Sequence, residues 1–101
     1  MVNLFNEENF EEEVLQTEGI VLVDFYADWC MPCKMMSPVI DQMADENPNV
    51  KFGKVNVDEN QDLAEKYNIM SIPTIMVFKA GTPTRSFVGV TSKSQILDAI
   101  K

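Results

Sequence analysis

The chain has no histidine, no lysine or arginine before Lys34, and no apolar run longer than stretches such as Ile20 to Val23 and Ile75 to Phe78. A membrane span needs roughly 18 apolar residues in succession, so none is expected. A secretory leader needs an early basic region, and a mitochondrial one is Arg-rich and acid-poor; Met1-Val-Asn-Leu-Phe-Asn-Glu-Glu is neither. The expected address is the cytoplasm. Cations are scarce throughout: eight Lys and Arg stand against 16 Asp and Glu, a net charge of −8. Such a surface repels a phosphate backbone, which argues against nucleic-acid binding. The imbalance is local, because residues 1 to 33 hold eight acids and no base, whereas residues 34 to 101 hold eight of each. Cysteine is scarce too. With only Cys30 and Cys33, and no histidine, one chain lacks the four ligands of a structural zinc site.

What is present is ordinary globular material, 46% hydrophobic and 24% charged over 101 residues. That length closes one hydrophobic core, so residues 1 to 101 read as a single domain. No repeat, low-complexity tract or linker interrupts it.

The pattern predicts strands and helices in alternation. Val2 to Phe5 is a candidate edge strand, followed by a helix capped by Asn6, with Phe5 and Phe10 at staple spacing and Gly19 at its end. Ile20 to Tyr26 is nearly continuously apolar, as a strand covered on both faces would be, with Asp24 the exception. From Pro32 to Asn47, Met36, Val39, Ile40, Met43 and Ala44 recur at helical spacing, and Pro38 predicts a kink. Val50 to Val57 reads as a strand and Asn60 to Tyr67 as a short helix. Thr74 to Lys79 and Thr84 to Val88 flank Ala80-Gly81-Thr82-Pro83, a hairpin signal weakened by Ala80, a poor host for positive φ. Ser92 with Gln95 makes a capping box for a last helix carrying Ile96, Leu97 and Ile100. The order implies an α/β protein with a mixed central sheet between helices.

The chemistry concentrates at Trp29-Cys30-Met31-Pro32-Cys33-Lys34, where a strand gives way to a helix. In a reducing compartment such a pair is redox-active or metal-binding before it is a structural staple. Two intervening residues let both sulfurs meet within one turn, so they can exchange a disulfide with a bound substrate. Cys30 at the helix amino end feels the partial positive charge of unpaired N–H groups, which favours thiolate; it is the candidate nucleophile. Cys33, one turn in, is expected to be more buried and to attack only after a mixed disulfide has formed. Pro32 in the first turn sacrifices no helix hydrogen bond.

These residues, together with Val23-Asp-Phe-Tyr-Ala-Asp-Trp29, Pro38, Lys54-Val-Asn-Val-Asp58, Ser71-Ile-Pro-Thr74, Phe78-Lys-Ala-Gly81 and Gly89, resemble the thioredoxin family over nearly the whole chain. The family's usual Trp-Cys-Gly-Pro-Cys is here Trp29-Cys30-Met31-Pro32-Cys33. The resemblance implies a thioredoxin fold with helices on both faces of the sheet. It also implies reduction of disulfide-containing protein substrates through a Cys30-Cys33 dithiol/disulfide, no bound cofactor, and electrons from a thioredoxin reductase. A monomer is expected. By position, Asp24 would be the buried carboxylate that manages the Cys33 proton, and physics agrees, since Asp24 shares a strand face with Leu22 and Tyr26, where charge is costly. Lys54, on the face of Val50 and Phe52, would lie beside Asp24 and moderate its charge. The alternatives are a solvated strand end for Asp24 and an exposed edge for Lys54. The Ile72-Pro73 bond is implied to be cis, its backbone pairing with an extended substrate beside the cysteines; an ordinary trans proline opening a strand is the alternative. Trp29, Met31, Pro32, Met70, Ile72, Pro73 and Gly89 would form an apolar substrate groove. Met35, Met36, Met43 and Met76 are assigned to core packing.

Three rival functions share parts of this pattern. One is a glutathione-linked, glutaredoxin-like reductase, which Trp29, Asp24 and Lys54 fit less well. A second is metal binding, by half a zinc site shared between chains or by soft Cu(I) ligation through Cys30, Cys33 and Met31. The third is a non-catalytic binding module using Trp29 and Met31 for contact alone.

Overall fold

The computed structural model describes residues 1–101. Five strands, β1 (Val2–Leu4), β2 (Ile20–Tyr26), β3 (Lys51–Asn56), β4 (Thr74–Lys79) and β5 (Thr82–Val88), form one sheet in the order β1-β3-β2-β4-β5. The first three are parallel, β4 runs antiparallel to β2, and β5 runs antiparallel to β4. Three helices, α1 (Met31–Glu46), α2 (Gln61–Lys66) and α3 (Lys93–Ala99), and a π-helical turn (Glu11–Leu15) cover it.

Period-two alternation along β2 divides the core. Leu22 points to a cluster with Met36, Ile40 and Met43 of α1 and Ile96, Ala99 and Ile100 beside or within α3. Val21, Val23 and Phe25 point the other way, to Phe5, Phe10, Val14, Leu63 of α2 and Phe78. The second cluster is aromatic: the Phe10 ring meets Phe5 edge-on at 6.3 Å and Phe78 at 5.8 Å, and Tyr67 meets Phe78 at 5.6 Å. β2 is therefore buried on both faces, as its unbroken apolar run requires. Lys51 to Asn56 lies between β1 and β2, so Lys54 is on an interior strand, half-buried.

Four expectations need correction. The first helix is a turn over residues 7–9 followed by the π-helical segment. Asn6 Oδ1 still accepts the Glu8 and Asn9 N–H groups, at 2.8 and 2.9 Å, and Asn6 thus caps that opening turn. The α-helical acceptor for Thr17 N–H, the Glu13 carbonyl, is instead taken by Thr17 Oγ1 at 2.7 Å and Lys51 Nζ at 2.9 Å, while Gln16 N–H reaches back five residues to Glu11. The hairpin is tighter than expected: Ala80 and Gly81 alone make the turn, at φ 51° and 80°, and Thr82 already pairs with Lys79. Ala80 accepts the left-handed conformation at a cost of about 1–2 kcal/mol, offset by its N–H bond to the Gly19 carbonyl at 3.2 Å. Pro83 consequently lies inside β5, at the sheet edge where a missing N–H is harmless. Met35 is exposed, not core. It sits one residue, or about 100°, off the inward Met36-Ile40-Met43 phase of α1, while Met36, Met43 and Met76 are buried. The fourth correction concerns the cysteines.

Candidate active site

β2 ends at Tyr26 and α1 begins at Met31, so the four intervening residues carry Trp29 and Cys30 to the carboxyl edge of the sheet. Cys30 is the N-cap of α1, in extended conformation, and its Sγ accepts the Cys33 N–H at 3.2 Å. That bond places the sulfur on the positive end of the helix. Cys30 and Cys33 are joined as a disulfide, with Cα atoms 5.3 Å apart. Cys33 was expected to be the more buried; both are 4% exposed. The reason is that Ala27, Tyr26, Val57 and Ile72 pack around the pair as a unit. What distinguishes the two sulfurs is position: Cys30 meets the helix end and the Ile72 carbonyl oxygen, 3.8 Å away, whereas Cys33 borders a pocket.

That pocket, about 140 Å³, is lined by Asp24, Cys33, Lys54, Tyr26, Lys34 and Ser37, with Ala27 and Asp28 completing its wall. Asp24 is buried, 4% exposed, and its Oδ1 has no hydrogen-bond partner. Burial raises its pKa from 3.8 to about 6, the Lys54 ammonium pulling it down and Asp41 pushing it up. Lys54 is its direct neighbour in the β2/β3 register, and Lys54 Nζ stands 5.1 Å from the centre of the Tyr26 ring. The Tyr26 phenol is itself held above its ordinary pKa, by burial first and by Asp28 next, and stays neutral.

On the far side of the disulfide, the Ile72-Pro73 bond is cis and Gly89, at φ 85°, donates its N–H to the Pro73 carbonyl at 2.8 Å. Trp29, Met31 and Met70 are exposed, at 69%, 65% and 90%. Pro32 is in the first turn of α1. Of the sequence-designated residues, Asp24 and Lys54 thus share a pocket with Cys33, Ile72 meets Cys30 through its carbonyl, and Trp29, Met31 and Met70 are exposed.

Sequence reasoning passed over two residues here. Asp58 Oδ2 accepts the Trp29 indole N–H at 2.8 Å, fixing an otherwise exposed ring, and Asn56 Oδ1 in turn accepts the Asp58 N–H at 2.9 Å. Tyr26 is the other. A signal existed for both: parallel strands in register end together, so the segments after β2 and β3 must meet.

The thioredoxin family model matches residues 1–101. The chain is 49% identical to a thioredoxin of Pseudomonas aeruginosa over 89 residues, covering 87% of this chain and 82% of that one. It is 42% identical to a thioredoxin of Chlamydia pneumoniae and 45% identical to one of Rickettsia felis, in each case over 99% of this chain and 96% of the relative.

Proposed function

The chain belongs to the thioredoxin family and is a protein-disulfide oxidoreductase; from that premise we propose how its residues divide the reaction. In the reduced protein Cys30, as thiolate, attacks one sulfur of a substrate disulfide. A Cys30–substrate disulfide forms, and the other substrate sulfur leaves as a thiolate that takes up a proton. Cys33 then gives its proton to Asp24 and attacks Cys30 Sγ, so that the second substrate sulfur leaves and the Cys30–Cys33 disulfide closes. Two electrons have passed from the dithiol to the substrate.

The observation that carries this division is the pocket shared by Cys33 and a buried carboxylate that accepts no hydrogen bond at Oδ1. A carboxylate raised to about 6 is a fair base near neutral pH, and the pocket has room for water to relay a proton. Trp29, Met31, Pro32, Met70, Ile72, Pro73 and Gly89 form the substrate-facing rim in this reading. An extended segment would lie there with its backbone against the Ile72-Pro73 and Gly89 main chain. Lys54 tempers the charge of Asp24. A single domain over residues 1–101, a monomer, a cytoplasmic setting, no bound cofactor and recycling by a thioredoxin reductase belong to the same reading. The family supports it.

The test is reduction of insulin disulfides with NADPH and a thioredoxin reductase as one electron source and glutathione as the other. Turnover is expected with the former. Turnover with glutathione alone would replace the reductase partner with a glutathione-linked one.

A further inference from the structure

The Lys54 ammonium forms no ion pair within 4 Å of a carboxylate and donates no hydrogen bond, although Lys54 lines a pocket with Asp24 and Asp28. A long, flexible side chain keeps its rotamer freedom unless a contact offsets the cost of ordering it. One such contact exists: the Tyr26 ring, two residues beyond Asp24 on the same face of β2, with Lys54 Nζ 5.1 Å from its centre. A cation within about 6 Å of an aromatic face is attracted by the negative face of the ring. Tyr26 is half-buried and lines the same pocket, so its ring is held by the sheet and by the Cys30/Cys33 cluster.

We propose that Tyr26 is a positioning residue: its ring seats the Lys54 ammonium at the mouth of the Asp24/Cys33 pocket and thereby sets the charge that Asp24 faces. The consequence for catalysis rests on the proton-transfer reading of Asp24, but the seating itself does not. The other groups facing Asp24 are Asp28 after β2 and Lys34 and Asp41 on α1; the β4 residue in register with it, Ile75, is uncharged. Lys54 is the cation whose effect on Asp24 outweighs the nearby acids, and without its seat it would swing into solvent and be screened. Asp24 would then hold its proton more tightly.

The test is an NMR titration of the Asp24 carboxyl carbon in the full oxidised chain. Tyr26→Leu should raise the midpoint by about half a pH unit, whereas Tyr26→Phe, which keeps the ring, should leave it in place. In a Lys54→Met background, already raised, Tyr26→Leu should add nothing. An unchanged midpoint in Tyr26→Leu, an equal rise with and without Lys54, or a fall would overturn the proposal, a fall meaning that the ring acts by excluding water from Asp24. The wild-type protein supplies a check that needs no variant: the Lys54 Hε protons should be shifted upfield by the ring, and ordinary positions for them would also overturn it. Proton transfer is read separately, from mixed-disulfide resolution in Asp24→Asn. Normal resolution there would remove the catalytic role of Asp24 and leave the seating result standing.

Discussion

The two faces of the sheet differ in what they leave unsatisfied. Against the π-helical turn and α2, ten buried apolar residues close around a set of aromatic rings, and no charged group is among them. Against α1 and α3, twelve apolar residues pack equally well, but the same face ends at Asp24, a buried carboxyl group beside a pocket. One strand, β2, supplies both: Val21, Val23 and Phe25 to one side, Leu22 and Asp24 to the other. The difference teaches where stability and chemistry reside. The aromatic face can carry a fold that tolerates a desolvated acid at the end of its other face, and that acid lines the same pocket as Cys33.

Damaging the aromatic face should break stability and spare chemistry. Phe10, 2% exposed and in contact with three other rings, should cost about 3–5 kcal/mol as Phe10→Ala. Urea melts read the loss. The redox potential of the folded variant should match the wild type, and a shifted potential would show that the two faces are not separate.

Relieving the acid should do the reverse. The folded pKa of Asp24 is raised from 3.8 to about 6, so the folded state binds the proton more tightly than the unfolded one. The stability linked to that proton is fully present below the unfolded value, is lost as pH rises through the folded value, and stays lost above it. A difference of roughly two pH units corresponds to about 3 kcal/mol. Asp24→Asn should therefore gain about 3 kcal/mol above pH 6 and little below pH 4, in urea melts from pH 4 to about 9. The same variant should resolve mixed disulfides more slowly. Loss of stability in alkaline solution would mean that the carboxylate is solvated.

The smallest effect belongs to the open rim. Met31 stands at the first position of α1, where a glycine would restore backbone freedom and remove an exposed apolar side chain. Met31→Gly should move the redox potential by tens of millivolts, about 30 mV being about 1.4 kcal/mol for two electrons. Equilibration with a glutathione buffer measures it, and identical potentials would confine Met31 to substrate contact.

Much of this was legible in the sequence because local signals agreed with the tertiary outcome. β2 and β4 have the bounds their apolar runs predict, and Ser92 caps α3 as expected, its Oγ accepting the Gln95 N–H at 3.4 Å, although Gln95 Oε1 accepts the Ser92 hydroxyl at 2.9 Å rather than the backbone N–H of a full capping box. The Asp24/Lys54 pairing followed from strand alternation and is present in the register. What escaped depends on distant partners. The π-helical turn reflects Lys51, 38 residues from the carbonyl it takes, and the left-handed Ala80 reflects a bond to Gly19 across the fold. Met35 was legible after all, since the helical repeat of Met36, Ile40 and Met43 already sets it about 100° outside the buried stripe. Equal burial of the two cysteines was hidden by distant partners too, since Ile72 and Val57 cover them from elsewhere in the chain.

The central claim is that one sulfur pair is divided between two environments, Cys30 at the helix end beside the Ile72 carbonyl, Cys33 at the pocket of Asp24. Mass spectrometry of adducts formed with a disulfide-containing peptide tests it directly. Cys33→Ser should accumulate a covalent mixed disulfide, because attack survives and resolution does not, and Cys30→Ser should form none. Accumulation on Cys30→Ser, with none on Cys33→Ser, would reverse the two sulfurs and contradict the account.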